Sequence, residues 1–525
     1  MTMSPMSSRL TDHALDDIQG VITSSYGHLP QSAYLFVHMK TPTEARRWIE
    51  AIAGSVTSSK RWPVGPDGKK VKPRTALNVA LTAEGLRACG MPEQVLRTFP
   101  VEFQDGMAST ERSRILGDTD KSAPALWELG GPATDPVHAV LFLFASDGVT
   151  LDSLCGAQRA ILDACSGVTE ISGSAQEGYR PETNTEHFGF HDGIAQPSIA
   201  GLGDAGVPTG EFILGYENHY GLMPPTPVVP RTLDADAMLP RLANPHHVTE
   251  ELGDLGQNGS YLAYRKLHQD VAAFWHFMSR ETARGGVMDA ARTVWLASKC
   301  VGRWPSGAPL VLAPDADNPA LRDTDDFFYA SDPDGLGCPL GAHIRRSHPR
   351  DTLKPYPAPQ SLSMTAAHRL LRRGRIYGSP LFDPSLLQRV SSAQARDMLL
   401  DLKDDGRPRG IHFLCVNASL KSQFEFVQQT WCNNVHFGGL NDNPDPLLGD
   451  RRPADEGPGR MTIPLASGSL RTRPLPRFAT VKGGVYLFMP SLTALRFLGS
   501  SGRSDARAES HSRDLSRTYS SHTDR

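Results

Sequence analysis

Three short motifs carry side chains whose chemistry is complementary. They contain His343 (within GAHIRR), Arg372 (at the start of RRGRIYG) and Asp192 (within GFHDG). A single histidine commonly holds haem iron in proteins, and the polarity of the pocket then decides what happens to a bound oxygen species. A carboxylate can move a proton in such a pocket, and a guanidinium can stabilise negative charge. His343, Asp192 and Arg372 would therefore form a haem–peroxide site if the fold brought them together.

Each motif also has an ordinary structural interpretation. Asp192 is followed by Gly193, and an Asp-Gly pair is a strong turn signal. His343 is one of 18 histidines, and His348 is its nearest competitor in the sequence. Arg372 belongs to two arginine-rich segments that could form nothing more than a solvated basic face. The functional interpretation therefore depends on all three motifs together.

Length and charge exclude some classes of protein. The chain has 525 residues, which exceeds the usual limit of a single core and predicts one very large domain or two. Its formal net charge of -3 does not predict nucleic-acid binding, which would require a basic patch. The start of the chain has no basic cluster followed by an apolar run, and no apolar stretch approaches the ~18 residues of a membrane span. We therefore expect neither a secretory signal nor a membrane anchor.

The cysteines indicate a reducing environment. They are odd in number and scattered, and none belongs to a CxxC pair. This pattern argues against a disulfide framework and favours reduced thiols in the cytoplasm. The CxxCH attachment site is also missing, so any haem would be bound non-covalently. The seven cysteines are Cys89, Cys155, Cys165, Cys300, Cys338, Cys415 and Cys432.

A strand followed by a helix recurs along the chain. The apolar run 33–37 precedes a helical pattern over 43–53, for which Thr43 is a candidate N-cap. The same rhythm returns near residues 76, 139, 261, 411 and 485. Two halves with one rhythm suggest a duplicated α+β unit, with helices packed on antiparallel sheets.

A proline-rich segment separates the two halves. Residues 221–258 begin with a cluster of prolines and continue as a charged, weakly periodic stretch. We interpret them as a linker or excursion between an N-terminal half, 15–220, and a C-terminal half, 259–499. The tail, 500–525, has almost no apolar residues and is expected to be disordered. The acidic stretch 442–450 does not fit a calcium loop and is expected to be a polar loop.

The motifs resemble those of a known family. Residues 189–193 with Pro197 look like the GxxDG signature of the dye-decolorizing peroxidases, 341–350 (GAHIRRSHPR) resemble their axial-histidine motif, and 372–378 resemble their distal-arginine segment. The similarity covers roughly residues 15–498 and is closest to the long, non-secreted bacterial subgroup. It implies two ferredoxin-like halves of the dimeric α+β barrel type, with one non-covalent haem b per chain in a cavity of the second half.

The resemblance also implies an activity. It predicts a peroxidase that reduces hydrogen peroxide and oxidises dyes, phenols or other aromatic donors through high-valent iron, with no nucleic-acid or membrane partner. His343 would be the axial iron ligand, and Asp192 and Arg372 would act on the peroxide at the distal face. Gly193, Arg345 and Arg372 would also contact the cofactor, and binding of its propionates would explain one or two of the arginines Arg345, Arg346, Arg372 and Arg373. Formation of a homo-oligomer is left open.

Several neighbouring residues keep two interpretations. His191 could be a second proton acceptor beside Asp192 or a hydrogen-bonded loop histidine. Glu425 could be the carboxylate that accepts from the axial histidine, or a solvated helix residue. Trp431 and Tyr377 could relay an electron to bulky donors or be ordinary core aromatics.

Two further considerations narrow the hypothesis. Gly374 stands where some relatives have asparagine, so their distal amide contribution is expected to be missing. An unperturbed aspartate has a pKa of ~3.9, so a site with Asp192 as its base should work at more acidic pH than a histidine-based one. The main alternative is a haem carrier or sensor without turnover, and a third is a non-haem enzyme using Asp192 and His191 for acid–base chemistry.

Overall fold

The computed structural model describes residues 10–203, 206–242, 251–451 and 459–500. Within these ranges, helices surround a large antiparallel sheet, which confirms the predicted α+β class. The predicted disordered tail lies, beyond Ser500, outside the described residues.

The elements are numbered in chain order. The strands are β1 Gln31–Met39, β2 Thr75–Leu81, β3 Ala139–Ala145, β4 Val168–Glu170, β5 Gln176–Tyr179, β6 Val228–Pro230, β7 Leu252–Asp254, β8 Ser260–Gln269, β9 Leu371–Arg372, β10 Arg375–Tyr377, β11 Gly410–Asn417, β12 Thr462–Leu465, β13 Gly468–Arg471 and β14 Ala479–Met489. The helices are α1 Asp12–Asp17, α2 Gly20–Thr23, α3 Pro42–Ala53, α4 Ala83–Ala88, α5 Glu93–Leu96, α6 Val101–Asp105, α7 Thr110–Leu116, α8 Gly148–Asp163, α9 Val271–Thr282, α10 Ala290–Val301, α11 His343–Ser347, α12 Ala358–Ala366, α13 Ala393–Asp401 and α14 Leu492–Ser500.

Eight of the strands close into a ring. Its order is β5-β1-β3-β2-β14-β8-β11-β10, and β10 pairs back onto β5. In the first half β4 and β5 both pair with β1, followed by β3 and β2; in the second half the order is β14-β8-β11, followed by β9 and β10. Both halves thus have the fourth–first–third–second strand order of a ferredoxin-like unit. The second strand of each half pairs with the fourth strand of the other, which closes the barrel.

The strands of the barrel are buried on both faces. In β1, Leu35 and Val37 belong to an outer core that the helices cover, whereas Tyr34 and Phe36 belong to an inner core inside the barrel. Successive side chains of a strand point to opposite faces, so a strand covered on both sides needs an apolar residue at nearly every position. This explains why the sequence shows continuous apolar runs instead of an alternating pattern.

Helix α3 starts earlier than its sequence suggests. Thr43 is wrong as the N-cap: Thr41 precedes the helix in extended conformation, and its hydroxyl accepts from the backbone N–H of Glu44 at 3.4 Å. Pro42 takes the first helical position, where the missing N–H removes no helical hydrogen bond. The proline therefore moves the cap to the threonine before it.

The segment between the two halves is packed against the barrel. In the described parts of 221–258, β6 pairs with β7. Val229, Leu239 and Leu255 are fully or almost fully buried in the outer core. Residues 243–250 lie outside the described residues. The segment that was interpreted as a linker therefore contributes side chains to the same core as the helices.

The cysteines are all buried and free, so the structure contains no disulfide among these seven residues. Among the helices of the described ranges, none combines the length and the apolar character that crossing a bilayer requires.

The substitution Gly410→Ala tests how closely strand β11 packs against its neighbours in the barrel. A Cβ at this position, where β11 lies between β8 and β10, would stand 1.8 Å from the carbonyl oxygen of Leu267 and 2.9 Å from the hydroxyl of Tyr377. We expect Gly410→Ala to lower the free energy of unfolding by about 1–3 kcal/mol, because backbone cannot move aside as a flexible side chain can. Chemical denaturation measures this. The matched control is Gly148→Ala in the first turn of α8, where an added Cβ meets nothing within 4 Å; an equal loss in both variants would contradict the steric explanation.

Candidate functional site

His343 opens helix α11 and faces a buried carboxylate. Its Nδ1 lies 2.9 Å from Oδ2 of Asp445, which is fully buried. The other carboxylate oxygen of Asp445 accepts from the backbone N–H groups of Leu447 and Leu448. In the neutral imidazole, Nδ1 donates to the carboxylate and Nε2 carries no proton, and no described residue hydrogen-bonds to Nε2. An imidazole in this state can act as a metal ligand through Nε2.

Arg346 connects α11 to the loop that carries Asp445. Its guanidinium is fully buried and donates to the carbonyl oxygens of Trp431 at 2.7 Å and Asn434 at 2.9 Å. It also donates to the carbonyl oxygen of Asn443, two residues before the aspartate. Arg346, three residues after the histidine in sequence, thus holds in place the backbone that carries Asp445.

Opposing effects set the pKa values of the His343–Asp445 pair. Burial alone would raise the pKa of Asp445, but the attraction of His343 and the hydrogen bond between them lower it to about 2. Burial would likewise lower the pKa of His343, but Asp445 raises it above the usual value. The carboxylate therefore stays ionised and holds the ring in one orientation.

Asp192 lies in the loop after β5 and meets Arg372. Its Oδ1 accepts from the N–H of Gly193 at 2.6 Å and from Nη1 of Arg372 at 3.1 Å, whereas no described residue hydrogen-bonds to Oδ2. Burial raises the pKa of Asp192, but the nearby Arg372 guanidinium and these hydrogen bonds outweigh it, so the pKa is lower than usual. The carboxylate is therefore ionised, with one oxygen held and the other available.

Arg372 is positioned by its strand. It ends β9, which pairs with β11, and its backbone N–H donates to Oε1 of Gln196 at 2.9 Å. The side chain of Arg373 turns the other way and donates to the carbonyl oxygens of Val21 and Ile22. A Cβ at Gly374 would stand 2.5 Å from the carbonyl oxygen of His412, so this position favours glycine. The backbone of His412 lies so close to position 374 that a side chain would not fit. This explains why the chain has glycine at a position where some relatives are expected to have asparagine.

Asp192 and Arg372 border a cavity between the two halves. Its lining includes Gly193, Gln196, Ile411 and Phe413. The Asp192 side chain is 45% exposed and that of His343 is 24% exposed. Asp192 lines the cavity, whereas His343 is not among its lining residues. His343 lowers the pKa of Asp192 and Asp192 raises that of His343, so the two groups lie within electrostatic range of each other.

Gly193, His343, His348 and Arg369 have properties that suit a haem group. Gly193 has a φ of 83°, and a Cβ built on it would meet nothing within 4 Å, so the backbone borders open space where a flat ring could approach. His343 offers one ring nitrogen to a metal. Burial lowers the pKa values of both His348 and Arg369; repulsion from Arg369 and Arg350 adds to this at His348, and repulsion from Arg350 adds to it at Arg369. No described residue hydrogen-bonds to either side chain. Two half-buried basic residues without hydrogen-bond partners could receive the two carboxylates that a haem carries.

Arg345 does not fit its predicted role. It is fully buried, and its guanidinium donates to the carbonyl oxygens of Cys338 at 2.7 Å and Asp332 at 2.9 Å. It also lies over the ring of Tyr329. The prediction that Arg345 binds a propionate is therefore wrong, because its donors are bound within the protein, and Arg369 is the better candidate.

Glu425 is wrong as the partner of the axial histidine. Its carboxylate pairs with Arg112 at 3.1 Å and accepts from the hydroxyl of Tyr486 at 2.8 Å. Asp445 occupies the predicted place instead. The helix expected after β11 is π-helical over Lys421–Glu425, and it directs Glu425 to the outer core.

The remaining candidates are placed as follows. His191 is a hydrogen-bonded loop residue: Nδ1 contacts the carbonyl oxygen of Thr183 at 2.9 Å, and Nε2 contacts Oδ1 of Asp323 at 3.0 Å. Both ring nitrogens are thus engaged away from Asp192. Trp431 and Tyr377 are buried, so a role in electron relay, which stays a prediction, would need a further step to the surface.

Sequence reasoning missed Asp445. The aspartate follows His343 by 102 residues, within the acidic stretch that was expected to be a polar loop. The apolar Leu447 and Leu448 just after it are a weak sign that this stretch is buried. Gln196, which accepts from the Arg372 backbone, gave no signal of its own.

Asp445→Asn tests the electrostatic control of His343. We expect the pKa of His343 in haem-free protein to fall, because an amide keeps the shape of the carboxylate but loses its charge. An NMR titration of the imidazole measures this. The control is Asp442→Asn on the same loop, whose carboxylate binds Arg471 and the Gly459 N–H instead. A His343 pKa that is the same in both variants would contradict the pairing.

Comparison with known proteins identifies relatives along nearly the whole chain. The dye-decolorizing peroxidase of Exidia glandulosa is 29% identical over 499 residues, covering 91% of this chain and 86% of the relative. The multifunctional dye peroxidase DyP2 of Amycolatopsis sp. is 28% identical, covering 92% and 96%. A solved dye-decolorizing peroxidase in complex with 2,6-dimethoxyphenol has the same fold, with a TM-score of 0.69 at 23% identity over 93% of this chain and 99% of its own. No family model matches the chain.

This similarity extends far beyond the three motifs. The relatives match about nine-tenths of the chain and most of their own length, so the resemblance does not come from one shared element. It confirms the resemblance that the motifs predicted: the chain is similar to dye-decolorizing peroxidases over nearly its whole length, and it is a haem peroxidase of that type.

Proposed function

We propose that this peroxidase binds one non-covalent haem b through His343 and uses Asp192 and Arg372 to cleave hydrogen peroxide, with dyes, phenols or other aromatic compounds as reductants. The observation that carries the proposal is the 3.1 Å contact of Asp192 with Arg372 at a cavity, within electrostatic reach of the imidazole. An ionised acid and a guanidinium at such a place suit peroxide cleavage better than mere haem storage.

The chain would hold haem from three sides. His343 would bind the iron through Nε2 while Asp445 holds Nδ1. Gly193 leaves room for the ring, and Arg369 and His348 would attract the propionates. When bound, haem supplies an iron centre that peroxide oxidises and that aromatic donors reduce again. Non-covalent binding follows from the absence of a CxxCH sequence.

Asp192 is the proton carrier in this proposal. Its ionised carboxylate takes a proton at Oδ2 from one oxygen of hydrogen peroxide. It then gives that proton to the other oxygen, which leaves as water. Oδ1 stays bound to the Gly193 N–H, so the carboxylate keeps its orientation during both transfers.

Arg372 supplies positive charge at the same place. As the O–O bond breaks, negative charge builds up on the departing oxygen, and a guanidinium fixed nearby stabilises it without reorganisation. The Gln196 contact to its backbone and the pairing of β9 with β11 keep the arginine in position.

The choice of reductant rests on similarity. A solved protein of the same fold was obtained in complex with 2,6-dimethoxyphenol, and the relatives are named for dyes. A cytoplasmic location remains a prediction from the cysteine pattern, and the oligomeric state remains open.

His343→Ala tests the axial ligand. Haem-loaded wild-type protein should show a Soret band, and the variant should lose haem because its iron has no protein ligand. Absorption spectroscopy with a measurement of haem content provides the result. His348→Ala is the matched comparison, since it removes a histidine five residues away that we assign to the propionates, and it should keep iron ligation. Retention of haem in the first variant and its loss in the second would reverse the assignment.

Asp192→Asn and Arg372→Ala test the distal pair. Peroxide-dependent dye bleaching should fall about 10²–10⁴-fold without the proton carrier and about 10²–10³-fold without the guanidinium, with haem content unchanged. His191→Gln is the control, because His191 is adjacent to Asp192 in sequence but its imidazole is hydrogen-bonded away from the site. Normal bleaching by the Asp192→Asn variant would exclude the aspartate as proton carrier.

The pH profile of dye oxidation gives a further test. Arg372 holds the pKa of Asp192 below its usual value, so the carboxylate loses its charge only in strong acid. Activity should therefore persist at about pH 4, where an ordinary aspartate is already half protonated, and fall only in more acidic solution. Initial rates across pH measure this, and an optimum on the alkaline side would argue against the mechanism.

A further inference from the structure

The inside of the barrel contains a cluster of redox-active side chains that the proposed mechanism does not use. His412 on β11 and Tyr264 on β8 are both fully buried, and the Tyr264 hydroxyl lies 2.9 Å from Nδ1 of His412. The ring of Tyr34 lies 5.1 Å from that of His412, and the ring of Tyr377 lies 4.7 Å from it.

The cluster lies directly behind the wall of the cavity. Ile411 and Phe413, the two neighbours of His412 on β11, line the cavity that Asp192 and Arg372 border. Alternate side chains of a strand point to opposite faces, so His412 points away from the cavity into the barrel. One strand thus separates the tyrosines from the site of peroxide cleavage.

The hydrogen bonds define which nitrogen of His412 is basic. Nε2 lies 3.2 Å from the carbonyl oxygen of Glu177, which can only accept, so Nε2 carries the proton. Nδ1 is therefore the acceptor for the Tyr264 hydroxyl. Burial lowers the pKa of His412 to about 3, so the ring stays neutral and able to accept a proton even in acidic solution.

Tyr264 is the one tyrosine of this cluster with a base at its hydroxyl. The hydroxyl of Tyr34 is buried without any hydrogen-bond partner among the described residues. The hydroxyl of Tyr377 donates to the carbonyl oxygen of Leu267, which cannot take the proton. A phenol becomes a strong acid when it loses an electron, so a tyrosine inside a protein is oxidised readily where a base can accept its proton. Tyr264 meets this condition.

We propose that Tyr264 and His412 form a proton-coupled redox pair that stores one oxidising equivalent of the peroxidase reaction inside the barrel when no donor is bound. This rests on the haem site proposed above. Tyr264 gives one electron to the oxidised cofactor, its O–H bond breaks, and the proton forms an N–H bond with Nδ1 of His412. The products are a neutral tyrosyl radical and an imidazolium. An aromatic donor later supplies one electron, and the proton returns to the phenol oxygen.

Freeze-quench electron paramagnetic resonance tests the pair. Haem-loaded protein is mixed with hydrogen peroxide without a donor, and the tyrosyl radical signal is recorded. The signal should be present in wild type and in Tyr34→Phe, which removes a hydroxyl without a partner in the same cluster. It should be lost in Tyr264→Phe and in His412→Gln, which keeps the phenol but removes the base. With ¹⁵N-labelled histidine, the wild-type radical should show a coupling to nitrogen.

Each outcome of these measurements either supports or contradicts the proposed radical pair. A signal that persists in Tyr264→Phe, or a wild-type radical without nitrogen coupling, would overturn the proposal. The haem spectrum before and after peroxide separates this failure from a failure of the proposed function. If the spectrum changes but no radical forms at Tyr264, the pair alone is refuted; if peroxide leaves the spectrum unchanged, both proposals are refuted. The nitrogen coupling needs no variant, so misfolding of a mutant cannot hide the result.

Discussion

The contact between Asp192 and Arg372 joins the two halves of the molecule at the site. Asp192 comes from the loop that follows β5 in the first half, and Arg372 ends β9 in the second. The barrel closes close by, where Tyr179 of β5 pairs with Ile376 of β10. Closure of the barrel therefore determines how far apart the acid and the guanidinium lie, and the site exists only in the closed structure.

The charged groups of this site lose part of their contact with water when the protein folds, and this loss is energetically unfavourable. A charge inside a protein is strongly unfavourable unless a partner and hydrogen bonds replace the lost water. Asp192 has Arg372, and Asp445 has His343, so each acid has a basic partner. Arg346 has backbone carbonyl oxygens around its guanidinium. The same pairing that makes burial tolerable also keeps the carboxylates ionised, which proton transfer and histidine orientation both require.

Strand β11 serves two environments because its side chains alternate. Phe413 faces the cavity, whereas His412 faces the interior of the barrel, where it meets Tyr264. Most barrel interiors of this size are filled by apolar residues, and the inner core here is largely apolar as well. Tyr264 and His412 are thus hydrogen-bonded polar residues in a largely apolar core, and they lie next to the cavity. This position is the reason for the redox role that we propose for them.

Local sequence was enough to predict the α+β class, because continuous apolar runs and helical periodicity are properties of neighbouring residues. The family motifs in addition named His343, Asp192 and Arg372 as a set. The N-cap of α3 was predicted at Thr43 but lies at Thr41, because Pro42 occupies the first helical position. Prediction from the pattern of apolar residues alone therefore misplaces the start of a helix. The error at Arg345 has a similar origin, because sequence does not show which way a basic side chain turns.

The partner of His343 was decided by the tertiary structure alone. Asp445 and Glu425 are both acidic and both distant from the histidine in sequence, and nothing local distinguishes them. The π-helical turn directs Glu425 toward Arg112, so this acid is not available to His343. Arg346 holds the loop of Asp445, so Asp445 becomes the partner of the histidine. Sequence by itself determined which chemical groups this protein has and the order of its elements; tertiary structure decided which groups meet, because burial and hydrogen bonding select among distant partners only when the chain is folded.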